Sequence, residues 1–150
     1  GLDKYDNIRI GLNARMDTMQ AAILMPKLAI FPEEIQLRQK VADSYTQALE
    51  GLVETPYVPD GYNSVWAQYS VLSDHREALQ DALKEAGIPS VVYYRIPCHL
   101  SKAFEHLGYK EGDMPESEKA SKRIFSLPMH PYVEGDFAEK VANVCRVALT

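Results

Sequence analysis

"VWAQYSVLSDHREALQDALKEAGIPSVVYY", residues 65–94, decides the fold class. Val65, Ala67, Tyr69 and Val71 alternate with more polar neighbours, which predicts a strand over 65–72. Asp74 and Glu77 then have the spacing of a capping box, and Leu79, Ala82, Leu83 and Ala86 recur at the helical period. Gly87 is placed to stop that helix. "SVVYY", residues 90–94, reads as a second strand. A helix held between two short strands implies a sheet covered by helices.

The flanks extend this pattern. On the N-terminal side, Met19, Ile23 and Ile30 suit a helix over 17–30, with Pro26 expected to kink or end it. Pro32 then opens a second helix, with Glu33 and Glu34 in its first turn and Ile35, Ala42, Tyr45, Leu49 and Leu52 as its buried face. Gly51 is the expected stop, and residues 55–64 are rich in turn formers. On the C-terminal side a short helix covers 101–107 up to Gly108, and another covers 116–125. "SLPMHPY", residues 126–132, is extended because its prolines forbid a helix. Asp136 and Glu139 repeat the capping box ahead of a last helix with Phe137, Val141, Val144 and Ala148 on its core face. The class is α+β: a short-stranded sheet flanked by helices and preceded by long helices.

The 150 residues, 46% hydrophobic and 25% charged, suit one domain with a real core. A net charge of −5 argues against nucleic acid as a partner. No apolar run reaches the ~18 residues of a membrane span, and no secretory signal is evident, so the expected setting is cytoplasmic. Cys98 and Cys145, with no CxxC, fit a reducing compartment.

Two constellations carry polar chemistry. In "RIGLNARMDTMQAAI", residues 9–23, Asn13 and Arg15 stand just ahead of an apolar helix. Helix N-termini attract anions, and an amide with a guanidinium would complete a phosphate or carboxylate seat. The plainer alternative is that Asn13 or Asp17 caps the helix and Arg15 is a solvated charge. "YYRIPCHL", residues 93–100, gathers phenols, a guanidinium, a thiol and an imidazole. In extended chain Cys98 and His99 point apart, which argues against a nucleophile–base dyad and leaves Cys98 as an apolar filler. Tyr94, Arg95 and His99 either line a ligand or mark the domain rim. His75, His99, His106 and His130 lack metal spacing, and Glu111, Asp113, Glu116 and Glu118 read as a solvated acidic loop, so no metal site is expected.

Taken together, "IGLNARMDTMQAAIL", "RQKVADSY" (residues 38–45), "WAQYSV", "GIPSVVYYRIPCHLSKAF" and "SLPMHPY" resemble, in order and spacing, the DegT/DnrJ family of nucleotide-sugar aminotransferases, which use pyridoxal phosphate. The resemblance covers the C-terminal two-fifths or so of a family member. It implies a fold-type-I aminotransferase, with residues 1–52 as connecting helices that carry a cofactor-phosphate and dimer motif, and 53–150 as the small C-terminal α+β domain. It implies that a lysine outside this chain holds pyridoxal 5'-phosphate covalently, so that this segment alone is inactive. Asn13 matches the family asparagine that reaches the cofactor phosphate across a homodimer interface, and Arg15 the arginine that faces cofactor or substrate. Tyr94, Pro97 and His99 match the family's Y-P-x-P-x-H pattern at the substrate. Arg95 departs from that pattern's proline, and its added charge is expected to favour an acidic sugar. The implied reaction moves an amino group, commonly from glutamate, to a nucleotide-linked keto-sugar for surface polysaccharide or lipopolysaccharide synthesis.

The rival reading is a stand-alone α+β binding or interaction domain without catalysis. Exposure separates the two. Helices cut away from a cofactor domain should leave a large apolar patch over residues 17–51, whereas a self-sufficient module should cover it.

Overall fold

Two antiparallel strands, β1 (Tyr69–Leu72) and β2 (Ile124–Leu127), form the centre of the computed structural model, which describes residues 8–14 and 16–150. Their register pairs Tyr69 with Leu127, Ser70 with Ser126, Val71 with Phe125 and Leu72 with Ile124. Tyr69, Val71, Phe125 and Leu127 are buried, and the Ser70 and Ser126 hydroxyls share a 2.7 Å hydrogen bond across the pair. The element order is α1 (Thr18–Ala48), β1, α2 (Arg76–Glu85), α3 (Pro115–Arg123), β2 and α4 (Phe137–Ala148). Two 3₁₀ turns, Cys98–Leu100 and Lys102–Leu107, lie between α2 and α3. Helix α4 packs against both α1 and α2. Together these elements make the expected α+β arrangement.

The core joins Tyr45 and Leu49 of the α1 end to Leu79 and Leu83 of α2, Ile88, the strand residues, and Val141 and Cys145 of α4. The Tyr45 and Tyr69 rings stack at 5.0 Å. The Tyr45 hydroxyl donates to the Pro128 carbonyl at 2.8 Å. Burial, with the neighbouring Tyr69, pushes the pKa of Tyr45 well above that of an ordinary phenol.

Several local expectations are corrected. Instead of two helices, α1 is one helix of 31 residues with Pro26 and Pro32 inside it. Each proline removes one N–H, but the residues around them are exposed, so water can serve the freed carbonyls. The helix ends at Ala48, and Gly51 serves the following turn at φ 74. The strand expected over 65–72 is half that length, because Trp66 leaves the extended region at φ 49. Its Nε1–H donates to Gln39 at 2.8 Å and its carbonyl accepts from Arg38 at 2.9 Å, so α1 holds this segment out of the sheet.

The expected strand over 90–94 reduces to one bridge, Val91 with Ser126. Beyond β1, the expected strand in 126–132 begins instead at Ile124 and stops before Pro128. Neither capping box closes. Asp74 accepts from Arg123 Nε at 2.7 Å, Glu139 lies 3.8 Å from Arg146, and neither α2 nor α4 has a side-chain cap. On α4 the fully buried positions are Ala138, Val141, Ala142 and Cys145, while Phe137, Val144 and Ala148 are only partly covered. Gly87 does stop α2: at φ 72 it lets Ile88 N–H reach the Leu83 carbonyl at 2.8 Å while its own N–H reaches Lys84.

Candidate functional site

Residues 93–100 leave the Val91 bridge and turn at once, so the strand geometry expected for them does not apply. Tyr94 is 57% exposed. Arg95 is exposed on the rim of an open groove of about 810 Å³, shared with Arg76, Asp81 and Lys84 of α2 and with Ser90. Tyr94 faces a smaller recess of about 210 Å³ with Pro97, Cys98, Ser117 and Ala120. The two side chains thus stand side by side in sequence but line different depressions. Cys98 is exposed, not the apolar filler expected of it, and the buried thiol is Cys145. Pro97 opens the 3₁₀ turn that directs Cys98 outward and His99 inward.

His99 is only 6% exposed, and its Nε2 lies 3.0 Å from Glu118 Oε1. Its ring and that of Tyr109 meet edge to face, 6.4 Å apart between centroids. His99 is therefore buried in the turn that follows Tyr94 and Arg95, with one ring nitrogen already engaged.

Glu118 corrects the reading of a solvated acidic loop. It is buried in the first turns of α3 and reaches back beyond the helix start. There it accepts from Gly112 N–H at 2.9 and 3.0 Å and from Met114 N–H at 3.3 Å. Burial alone would raise its pKa. The hydrogen bonds from His99, Gly112 and Met114, together with the charge His99 can carry, hold it below the ordinary 4.5. The signal for this residue was available. Pro115 marks a helix start, and a carboxylate early in a helix can reach back to the N–H groups before it, as in a capping box. Among the described residues, no three His, Cys, Asp or Glu side chains stand together as a metal-ligand group.

At the other end of the chain, Asn13 is exposed ahead of α1. Asp17 caps that helix, accepting from Gln20 N–H at 2.8 Å. A carboxylate therefore already serves the positive end of the α1 dipole, and an anion at Asn13 would meet a side-chain amide rather than the helix terminus. Arg15 lies outside the described residues.

The apolar side chains of α1 supply the remaining observation. Met19, Ile23, Leu24, Met25 and Leu28 are all exposed, and Leu24, Met25, Leu28 and Phe31 line an open groove of about 560 Å³. This is the uncovered patch expected of a segment separated from a larger body. Sequence comparison agrees: the description "DegT/DnrJ/EryC1/StrS aminotransferase family" fits residues 1–146.

The chain belongs to the DegT/DnrJ/EryC1/StrS aminotransferase family.

Among family relatives, UDP-2-acetamido-2-deoxy-3-oxo-D-glucuronate aminotransferase of Pseudomonas aeruginosa is 46% identical over 132 residues, covering 87% of this chain and 36% of that protein. A pleiotropic regulatory protein of Geobacillus stearothermophilus is 43% identical, covering 95% of this chain and 41% of its own length. The crystal structure of a DegT DnrJ EryC1 StrS aminotransferase from Brucella abortus superposes with a TM-score of 0.81 at 46% identity, over 98% of this chain and 39% of that one. S. venezuelae DesV superposes with a TM-score of 0.85 at 30% identity, over 100% of this chain and 41% of that one. The chain thus spans about two-fifths of the length of these family members.

Proposed function

We propose that this chain is the C-terminal part of a pyridoxal-phosphate-dependent aminotransferase that moves an amino group, with glutamate as donor, onto a nucleotide-linked keto-sugar. The product serves surface polysaccharide or lipopolysaccharide synthesis in the cytoplasm. The observation that carries this reading is the 46% identity, over most of this chain, to an aminotransferase named for a 3-oxo-glucuronate. The uncovered face of α1 supports it over the rival stand-alone binding domain, which should have covered that face.

In this reading residues 1–52 connect to the cofactor domain and 53–150 form the small domain. Asn13 reaches the cofactor phosphate across a homodimer interface, and Arg15 faces the cofactor or the negatively charged substrate, an amide and a guanidinium on anions. When bound, pyridoxal phosphate supplies the conjugated ring that accommodates charge as the amino group moves. A lysine outside this chain holds it, so the segment alone does not transaminate. Tyr94 and Arg95 face the sugar from the exposed loop, and His99 contributes from the buried turn that follows it. Arg95 stands where the family pattern has proline, and its permanent charge suits the carboxylate of a uronic acid.

The test is made in the full-length parent enzyme. Arg95→Pro should raise the KM for a nucleotide-linked keto-uronate at least about tenfold, the loss expected when a charged hydrogen bond to the substrate goes, and leave a neutral keto-sugar within about twofold. Equal losses on both sugars would remove the acidic-sugar reading. Failure of the unsubstituted parent to aminate any nucleotide keto-sugar would remove the function itself.

A further inference from the structure

We propose that Glu118 is a positioning residue for the substrate loop: it holds the Nε2 proton of His99 and so sets how residues 94–99 meet the sugar. The inference rests on the reading above that this loop faces the substrate. One carboxylate gathers three donors from two stretches of chain, the turn after Pro97 and the loop that leads into α3. His99 Nε2 comes from the 3₁₀ turn after Pro97, Gly112 N–H from the loop after Gly108, and Met114 N–H from the residue before α3. Gly112 stands at φ 96, a backbone shape that side-chain-bearing residues seldom take, and there its N–H meets both carboxylate oxygens.

An ionised carboxylate only accepts hydrogen bonds. Facing one, His99 must carry a proton on Nε2 in either charge state, which leaves Nδ1 as the nitrogen whose role can change. Burial restricts ring rotation as well, since Glu118 holds Nε2 and the Tyr109 ring stands perpendicular to the imidazole at 6.4 Å between centroids. The three-residue turn over Cys98–Leu100 is therefore anchored at its centre, and the exposed pair Tyr94 and Arg95 lies just upstream of that anchor. The depressed pKa of Glu118 keeps this acceptor charged at neutral pH. Nothing in the family resemblance assigns Glu118 a role, and it makes its contacts through His99 and backbone rather than with substrate.

The experiment uses the full-length parent enzyme with 15N-labelled histidine and steady-state kinetics. Glu118→Ala should raise the KM for the keto-sugar at least about tenfold with the amino-donor KM unchanged, and Glu118→Gln, which keeps an oxygen toward His99, should recover most of that loss. In the spectra, His99 should hold its proton on Nε2 in the parent and populate both tautomers in Glu118→Ala. In Glu118→Gln the Nε2 proton resonance should move upfield, because a neutral acceptor makes a weaker bond than a charged one. That last readout decides the matter even if the alanine variant does not fold, and an unchanged resonance overturns the proposal. So does a sugar KM that is unmoved, or that moves in step with the donor KM. If Arg95→Pro leaves the sugar KM alone, the substrate reading falls and this inference with it. If Arg95→Pro raises it and Glu118→Ala does not, the role of Glu118 alone is removed.

Discussion

Residues 18–32 and 36–48 belong to one unbroken helix, both carry apolar side chains at helical spacing, and they end in different surroundings. In the second half, Val41, Ala42, Tyr45 and Ala48 enter the core, and Arg38 and Gln39 bind the segment around Trp66. In the first half, Met25 is 74% and Leu28 70% exposed. The difference teaches that an apolar stripe records the need for burial but does not name what buries it. The second half meets the rest of this chain. The first half presents the same kind of surface, and among the described residues its large apolar side chains stay exposed.

Substitutions along the helix can break that comparison, and the largest effect belongs to its buried half. Tyr45→Ala removes a fully buried ring, its stacking on Tyr69 and the bond to Pro128, and should cost about 3–5 kcal/mol in urea unfolding. A loss below about 1 kcal/mol would mean that α1 is not part of the core in solution. Arg38→Ala leaves the carbonyls of Trp66 and Met129 without their donor and should cost about 1.5–3 kcal/mol by the same measurement.

Smaller effects sharpen the contrast. Asp17→Ala removes the cap at the exposed end, worth about 1 kcal/mol locally. Because that end lies outside the core, the loss should appear as faster amide exchange over residues 20–24 with the global unfolding midpoint unchanged. Leu28→Glu should change this chain's stability by no more than about 0.5 kcal/mol. In the full-length parent the same change should weaken whatever contact covers the helix, read as an unfolding midpoint that falls by more than it does in this chain alone.

Acid gives a separate probe, away from α1. Glu118 has a folded pKa below its ordinary 4.5, so its contribution to stability is fully present above that value. It is lost as pH falls through the depressed folded value. Unfolding midpoints measured across the acid range should therefore drop less steeply in Glu118→Gln, and parallel curves would show that Glu118 is not linked to folding.

Much of the fold was legible because the relevant signals are local. The helix start at Asp17, the stops at Gly87 and Gly108, the helix after Pro115 and the helix from Phe137 each depend on residues within a turn or two. The strand limits were not legible. Trp66 leaves the extended region where Arg38 and Gln39, nearly thirty residues earlier, bind it, and residues 90–94 contribute one bridge because the chain turns at Tyr93. The candidate site divides in the same way. The motif around Tyr94, Arg95 and His99 stood out by its residue types, but the inward turn of His99 depends on Glu118, nineteen positions away.

The sequence by itself determined the α+β class, the family, most helix boundaries and the residues rich in chemistry, because periodicity, capping and glycine placement act over a few neighbouring positions. Only the tertiary structure decided which half of α1 is covered, where the strands end, and that Glu118 is buried against His99 rather than solvated. Those outcomes depend on desolvation and on hydrogen-bond partners far apart in the chain, and no local pattern carries that information.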